Sequence, residues 1–247
     1  MIQHRIGRRF ELIEQARTGG SSSVYRARDR ATGHTVAVKI LDADPKIDPR
    51  RVAREAQALA AVSAPGVARL IEHGATAAGQ PYFVVEWLEG ELLADRLAAG
   101  PLPRADAIRV AGEIALALGA LHGLGIVHRD VKPGNIVLCP PPRGATLVDF
   151  GAAGIAGATR ITTGGLGTPD YMAPEQAAGR PPDPRMDVYA LGCVLWECLT
   201  GSRPPAGEVP ADLAPLCERL LAVDVPIRPP DGNFVARALE RVAGSDP

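Results

Sequence analysis

The chain has 247 residues, with 27 Lys and Arg against 28 Asp and Glu, and a formal net charge of -1 with its histidines neutral. At 46% hydrophobic and 22% charged, it has the make-up of an ordinary folded protein and is long enough for one large domain or two lobes. Near balance of charge, with no dense run of Lys and Arg, argues against a nucleic-acid or anionic-membrane surface. Residues 1–5 lead into polar sequence with no apolar signal region, and no uninterrupted apolar stretch of about 18 residues occurs, so a soluble cytoplasmic chain without a membrane span is expected. Cysteines stand at 139, 193, 198 and 217 with no zinc-like spacing, which fits a reducing compartment. Cys193 and Cys198 fall in an apolar run and read as buried small hydrophobes rather than as redox sensors.

Residues 10–88 read mainly as short strands. Val24-Tyr25-Arg26-Ala27 and Thr35-Val36-Ala37-Val38-Lys39-Ile40 flank turn chemistry at residues 29–34 and form a hairpin. Before it, Thr18-Gly19-Gly20-Ser21-Ser22-Ser23 is a small polar loop, either a plain turn or a backbone cradle for phosphate. Lys39 ends its strand either as a solvated edge lysine or as a functional cation. Asp48-Pro49 is a helix start, and Val52, Ala56, Leu59 and Ala60 recur at helical spacing. Glu55 on that helix has Arg51 as a local partner or Lys39 as a distant one. Residues 82–88 form a further strand, after which composition shifts towards helix.

Ile108, Ala111, Ala115, Leu118 and Leu121 then mark the apolar face of a long helix that ends at Gly123 and Gly125. His128-Arg129-Asp130-Val131-Lys132-Pro133-Gly134-Asn135 follows. It puts an acid, a cation and an amide on one short turn between the strand-like Ile126-Val127 and Ile136-Val137-Leu138. Asp130 can take a hydroxyl proton, Lys132 can face a phosphate, and Asn135 can offer an oxygen to a metal ion; the alternative is a plain polar turn. After the break at residues 140–144, Thr146-Leu147-Val148 reads as a strand that delivers Asp149-Phe150-Gly151. A Gly-, Ala- and Thr-rich stretch containing Thr159, Thr162 and Thr163 leads to Gly167-Thr168-Pro169-Asp170-Tyr171-Met172-Ala173-Pro174-Glu175. Residues 186–200 form a helix apolar on all sides. Residues 202–210 then run straight to a helix that begins near Asp212.

From about Phe10 to Val242 these motifs resemble, in order and spacing, the protein kinases, and in wording the eukaryotic-type serine/threonine kinases of bacteria. The resemblance implies an α+β, two-lobed protein-kinase-like fold, with residues 1–247 as one kinase domain, a β-rich N-lobe over 10–88 and a helical C-lobe over 89–247. It implies ATP-dependent transfer of the γ-phosphate to serine or threonine hydroxyls of a protein substrate, with ATP and Mg2+ as cofactors. Lys132, two residues after the aspartate, marks the Ser/Thr branch. Gly19, Val24, Ala37, Lys39, Glu55, Glu86, Leu88 and Val137 are the implied nucleotide residues, with Lys39 paired to Glu55, the backbone of Glu86 and Leu88 at the adenine, and Val85 as a small gatekeeper. Asp130, Lys132 and Asn135 are the implied catalytic residues, and Asn135 and Asp149 the implied metal ligands. Thr168 would orient Asp130 and Lys132, Glu175 would pair with Arg228, and Asp187 would bond the backbone of the catalytic loop. A phosphate on Thr162 or Thr163 would face Arg129, so autophosphorylation there is expected.

Two departures stand out. The three glycine positions of the nucleotide loop fall on Arg17, Gly19 and Ser22, and Arg17 either lies against the phosphates or folds outward. The helix that normally follows Gly201 is missing or reduced. Both favour an alternative, a pseudokinase or ATP-binding scaffold, whereas the presence of Lys39, Glu55, Asp130, Lys132, Asn135 and Asp149 favours turnover. A small-molecule kinase is disfavoured by the segment from Thr168 to Glu175.

Overall fold

Burial alternates along Thr35–Leu41, with Val36 and Val38 covered and Ala37 and Lys39 on the other side, the period-two pattern of a strand with one packed face. In the computed structural model this is β4 of a six-stranded antiparallel sheet of order β1-β2-β3-β4-β6-β5. Its other strands are β1 (Arg5–Ile6), β2 (Phe10–Thr18), β3 (Ser22–Asp29), β5 (Leu70–Ala75) and β6 (Pro81–Glu86). The structure describes residues 5–18, 22–42, 56–57, 59–149, 154–155 and 169–244. It divides into two units, one holding the described residues up to Ser63 with Ala68–Leu88, the other holding Ala64–Val67 and the described residues from Glu89 onward.

In the first unit Ile6, Phe10, Ala27, Val36, Val38, Tyr82 and Val84 form the core on one sheet face. A polar network backs that core. Arg9 donates to both oxygens of Asp29 at 2.8 Å and to Glu72 at 2.8 Å, and Tyr82 Oη donates to Glu72 at 3.0 Å. The Arg9 fork holds the buried Asp29 carboxyl far below the usual range despite the opposing effect of burial. Burial and Glu72 push the Tyr82 hydroxyl up to about 12. The strand expected over residues 82–88 ends at Glu86, where Trp87 turns under the Arg26 guanidinium, 5.4 Å from its ring centre. Ala56, Gln57, Leu59 and Ala60 are helical; the Asp48-Pro49 start of that helix lies outside the described residues.

The second unit is helical, with β7 (Glu91–Leu92), α1 (Leu93–Ala98), α2 (Arg104–Gly123), β8 (Ile126–Val127), β9 (Ile136–Cys139), β10 (Gly144–Leu147), β11 (Gly154–Ile155), α3 (Pro174–Ala177), α4 (Pro184–Thr200), α5 (Ala214–Leu220) and α6 (Gly232–Ala243). The apolar stripe expected on α2 is buried, and so are Val110, Ile114 and Ala117, because α4, α6 and β10 all pack against this helix. A Cβ on Gly232 would lie 2.2 Å from the Ala115 carbonyl, so α6 can start this close to α2 only with glycine there. Asp183 caps α4 by accepting from the Arg185 amide at 2.8 Å, and Gly201 at φ +72° ends it. Burial pushes the Cys193 and Cys198 thiols up to about 12, in line with their reading as small hydrophobes.

Two boundaries differ from the sequence expectation. β10 covers Gly144–Leu147 rather than residues 146–148: the Val148 amide still donates to the Asn135 carbonyl at 2.8 Å, but the Asn135 amide is taken by the Lys132 carbonyl at 2.9 Å, so the pairing ends there. The helix expected near Asp212 begins at Ala214. Between Gly201 and Ala214 the described residues hold no helix, as the short connection implied. That connection is tied down instead: Arg203 pairs with Asp170, Trp196 Nε1 donates to the Ala206 carbonyl at 2.8 Å, and Arg104 pairs with Asp212 at 2.5 Å. Among the described residues no helix is long and apolar enough to cross a membrane.

Candidate active site

The turn from His128 to Asn135 runs from β8 to β9, and Pro133 opens its single 3-10 turn, Pro133–Asn135. Within it three side chains converge. Lys132 Nζ lies 2.9 and 2.8 Å from the two carboxylate oxygens of Asp130, and Asn135 Nδ2 donates at 2.8 Å both to Asp130 Oδ2 and to the Asp130 carbonyl. The Asp130 carboxylate therefore has its direction set by a cation and an amide.

The backbone beneath it is set from further away. Arg129 sits at φ 63°, a left-handed conformation that non-glycine residues rarely adopt. Asp187, at the start of α4 and fully buried, accepts from the His128 and Arg129 amides at 2.7 Å each, as expected for this residue. His122, at the end of α2, approaches the same carboxylate with Nε2 at 3.0 Å while its Nδ1 accepts from the Gly232 amide at 3.2 Å, which assigns the proton to Nε2. Burial drives the Asp187 carboxyl up, but the bonds from His122 and the Arg129 amide outweigh it and hold it below the usual carboxylate range. His128 is fully buried, which drives its ring towards the neutral form against the pull of Asp187, Asp130 and Asp149, and its Nδ1 accepts from the Asp130 amide at 3.3 Å. Gln176 Nε2 donates to the Arg129 carbonyl at 2.8 Å.

Asn135 and Asp149 meet at one end of the β9–β10 hairpin. Ile136 pairs with Leu147, and the Val148 amide bonds the Asn135 carbonyl, so Asp149 follows one residue later, at φ 69°. With its nitrogen committed to Asp130, the Asn135 amide has its oxygen on the opposite side. One fixed amide oxygen and one carboxylate suit a magnesium ion that takes its remaining ligands from phosphate and water, and no cluster of three or more His, Cys, Asp or Glu suited to a metal occurs among the described residues. The donor set present therefore fits the ion.

In the first unit the strand register aligns the nucleotide candidates. Val24 pairs with Lys39 and Lys39 with Phe83; Arg26 pairs with Ala37 and Ala37 with Val85. Directly paired residues share a face, so Val24, Ala37, Lys39 and Val85 stand together on the face opposite the core. The Glu86 amide donates to the Arg69 carbonyl at 3.1 Å and its carboxylate accepts from the Arg69 amide at 2.7 Å. Leu88 lies two residues beyond β6. In the second unit Val137 pairs with Thr146 on one side and Leu92 on the other. Gly19 and Glu55 lie outside the described residues, as do Thr168, Thr159, Thr162 and Thr163. Arg17 pairs with Val24 at the end of a bulge in the β2–β3 ladder.

The expected pair of Glu175 and Arg228 is present. Arg228 Nη1 and Nη2 donate to the two Glu175 oxygens at 2.6 and 3.1 Å; its Nε donates to Ala222 O at 2.6 Å, and its guanidinium lies 4.8 Å from the Tyr189 ring centre. Sequence reasoning missed His122, Gln176 and the Tyr171–Glu197 hydrogen bond. A buried polar residue in the last turn of an apolar helix was the available signal for His122; nothing local marked the other two.

An antiparallel sheet carrying a strand lysine, a helical unit carrying the H-R-D-x-K-x-x-N turn, and a hairpin that brings Asp149 to Asn135 define a protein kinase catalytic domain. Comparison with known proteins agrees: the family model described as protein kinase domain matches residues 10–219, and the chain belongs to this family. It is 42% identical to the serine/threonine-protein kinase PknB of Mycobacterium leprae, over 83% of this chain and 35% of that protein. It is 41% identical to the DNA damage-responsive serine/threonine-protein kinase RqkA of Deinococcus radiodurans, over 81% of this chain and 31% of that protein. With the serine/threonine-protein kinase pkn2 of Myxococcus xanthus it shares 35% identity, over 89% of this chain and 27% of that protein. The chain spans about a third of the length of these curated relatives. Membership of the family implies ATP use and a divalent metal.

Proposed function

We propose that this chain is the catalytic domain of a serine/threonine protein kinase, which transfers the γ-phosphoryl group of ATP to a hydroxyl of a protein substrate. The observation that carries this reading is the grip of Lys132 and Asn135 on the Asp130 carboxylate. Asp130 accepts the hydroxyl proton as the oxygen attacks phosphorus. Lys132 then neutralises charge on the phosphoryl group in transfer. Asn135 and Asp149 would hold magnesium, which would supply positive charge to offset that of the phosphates. Lys39, oriented by Glu55, binds the α and β phosphates. Gly19, Val24, Ala37 and Val137 are further nucleotide-binding residues in this reading, with the backbone groups of Glu86 and Leu88 as the adenine partners. We assign residues 1–247 to one kinase domain, with an N-lobe over 10–88 and a C-lobe over 89–247. A cytoplasmic location agrees with the ATP supply and with four cysteines that are all free thiols. The loop with Thr162 or Thr163 is the proposed site of autophosphorylation.

Incubation with Mg-ATP and histone tests the reading. The parent incorporates phosphate, and Asp130→Asn and Lys39→Ala each lower the rate by roughly 10²-fold or more. Equal incorporation in all three would sink the assigned roles. A parent that binds ATP but transfers nothing would point to the scaffold alternative, which the substitutions at Arg17 and Ser22 favour.

A further inference from the structure

We infer that Gln176 is a positioning residue for Asp130, acting through the peptide bond that precedes it; this rests on the kinase reading above. Asp130 follows Arg129, whose left-handed backbone persists only while its neighbours hold it. The peptide plane before Arg129 is held by Asp187, which accepts the Arg129 amide. The plane after Arg129 carries Asp130 itself, and its two polar ends are bonded separately. Its N-H donates to His128 Nδ1 at 3.3 Å, and its carbonyl accepts from Gln176 Nε2 at 2.8 Å. The second bond is the shorter. Any rotation of that plane swings the Asp130 side chain, so Gln176 sets the direction from which Lys132 and Asn135 then grip the carboxylate.

Gln176 can do this because it is itself anchored. It lies on α3, whose first residue is Pro174 and whose Glu175 is forked onto the buried Arg228. A side chain delivered from a fixed helix loses little freedom when it bonds. The same segment carries Tyr171, whose hydroxyl donates to Glu197 on α4, so one tethered stretch runs from Tyr171 to Gln176 and ends on the backbone that precedes the base. Gln176 is thus the link between this tethered stretch and the catalytic loop.

The test compares the parent chain with Gln176→Met, which keeps length without a donor, and Gln176→Glu, which keeps shape but turns a carboxylate oxygen towards the Arg129 carbonyl. In steady-state phosphorylation of histone, kcat falls about tenfold in both variants, the value of one lost hydrogen bond, while KM for ATP, KM for histone and Tm stay at the parent values. Hydrogen exchange followed in the same samples shows the Arg129 and Asp130 amides exchanging faster in Gln176→Met. Parental kcat in both variants overturns the inference, and so does a loss of kcat that comes with a matching fall in Tm and rise in KM. Unchanged exchange at those amides also overturns it. An inactive parent would instead overturn the kinase reading, and the exchange measurement would still decide whether Gln176 holds the loop.

Discussion

Among the described residues each unit holds an arginine that grips both oxygens of one carboxylate through two of its nitrogens, Arg9 on Asp29 and Arg228 on Glu175, and the two forks serve different backbones. In the first unit Arg9 and Asp29 back a sheet whose strands already pair with one another along most of their length. In the second, Arg228 and Glu175 join two pieces that share no ladder, the short helix α3 and the loop between α5 and α6. Side-chain exposure follows the same division: Arg228 is 0% exposed, Arg9 36%. Where the backbone pairs with itself, register aligns the candidate residues. Where it does not, side chains from distant segments must do so, and Asp187, His122 and Gln176 do this for the catalytic loop.

Arg228→Ala should have the largest effect on stability, because it strands a largely buried carboxylate: a loss of about 3 to 5 kcal/mol in denaturant unfolding. Arg9→Ala should cost less, about 2 kcal/mol, since Asp29 retains the Ala31 amide and the Thr32 hydroxyl as donors. An equal cost for both would break the contrast between ladder and side-chain support. Acidification sharpens it. Asp29 and Asp187 both have folded values below the usual aspartate value of about 3.9, so between the two values the unfolded chain binds more protons. Their stabilisation is complete above that usual value and is lost as pH falls towards the folded ones. Unfolding midpoints measured from pH 7 downward should therefore drop below about pH 5, and Asp29→Asn should flatten the slope while lowering stability at pH 7. The smallest effect is expected for Arg17→Gly, an exposed residue in a paired strand: a change in ATP affinity of about two- to threefold by titration. An affinity identical to that of the parent would remove any role for this side chain at the nucleotide.

Asp130, Lys132 and Asn135 are close in the chain, so a single tight turn brings them together, and strand alternation puts Ala37 and Lys39 on one face. The nucleotide roles given to Val24, Ala37 and Lys39 came from family resemblance. The pair of Glu175 and Arg228 was reached through family resemblance rather than through local pattern. Gln176 and His122 were not legible, because a hydrogen bond across 47 or 65 positions leaves no periodicity in the sequence. Strand ends were read imperfectly for a related reason: β10 stops at Leu147 because the facing residue beyond it, Asn135, turns its amide to the Lys132 carbonyl.

By itself the sequence determined which groups are available and which elements carry them, since alternation, helical spacing and turn chemistry are local properties of the chain. Tertiary structure alone decided how the catalytic loop is held. A strained Arg129 backbone and an aimed Asp130 require bonds from α2, α3 and α4, and those bonds exist only once distant segments have packed.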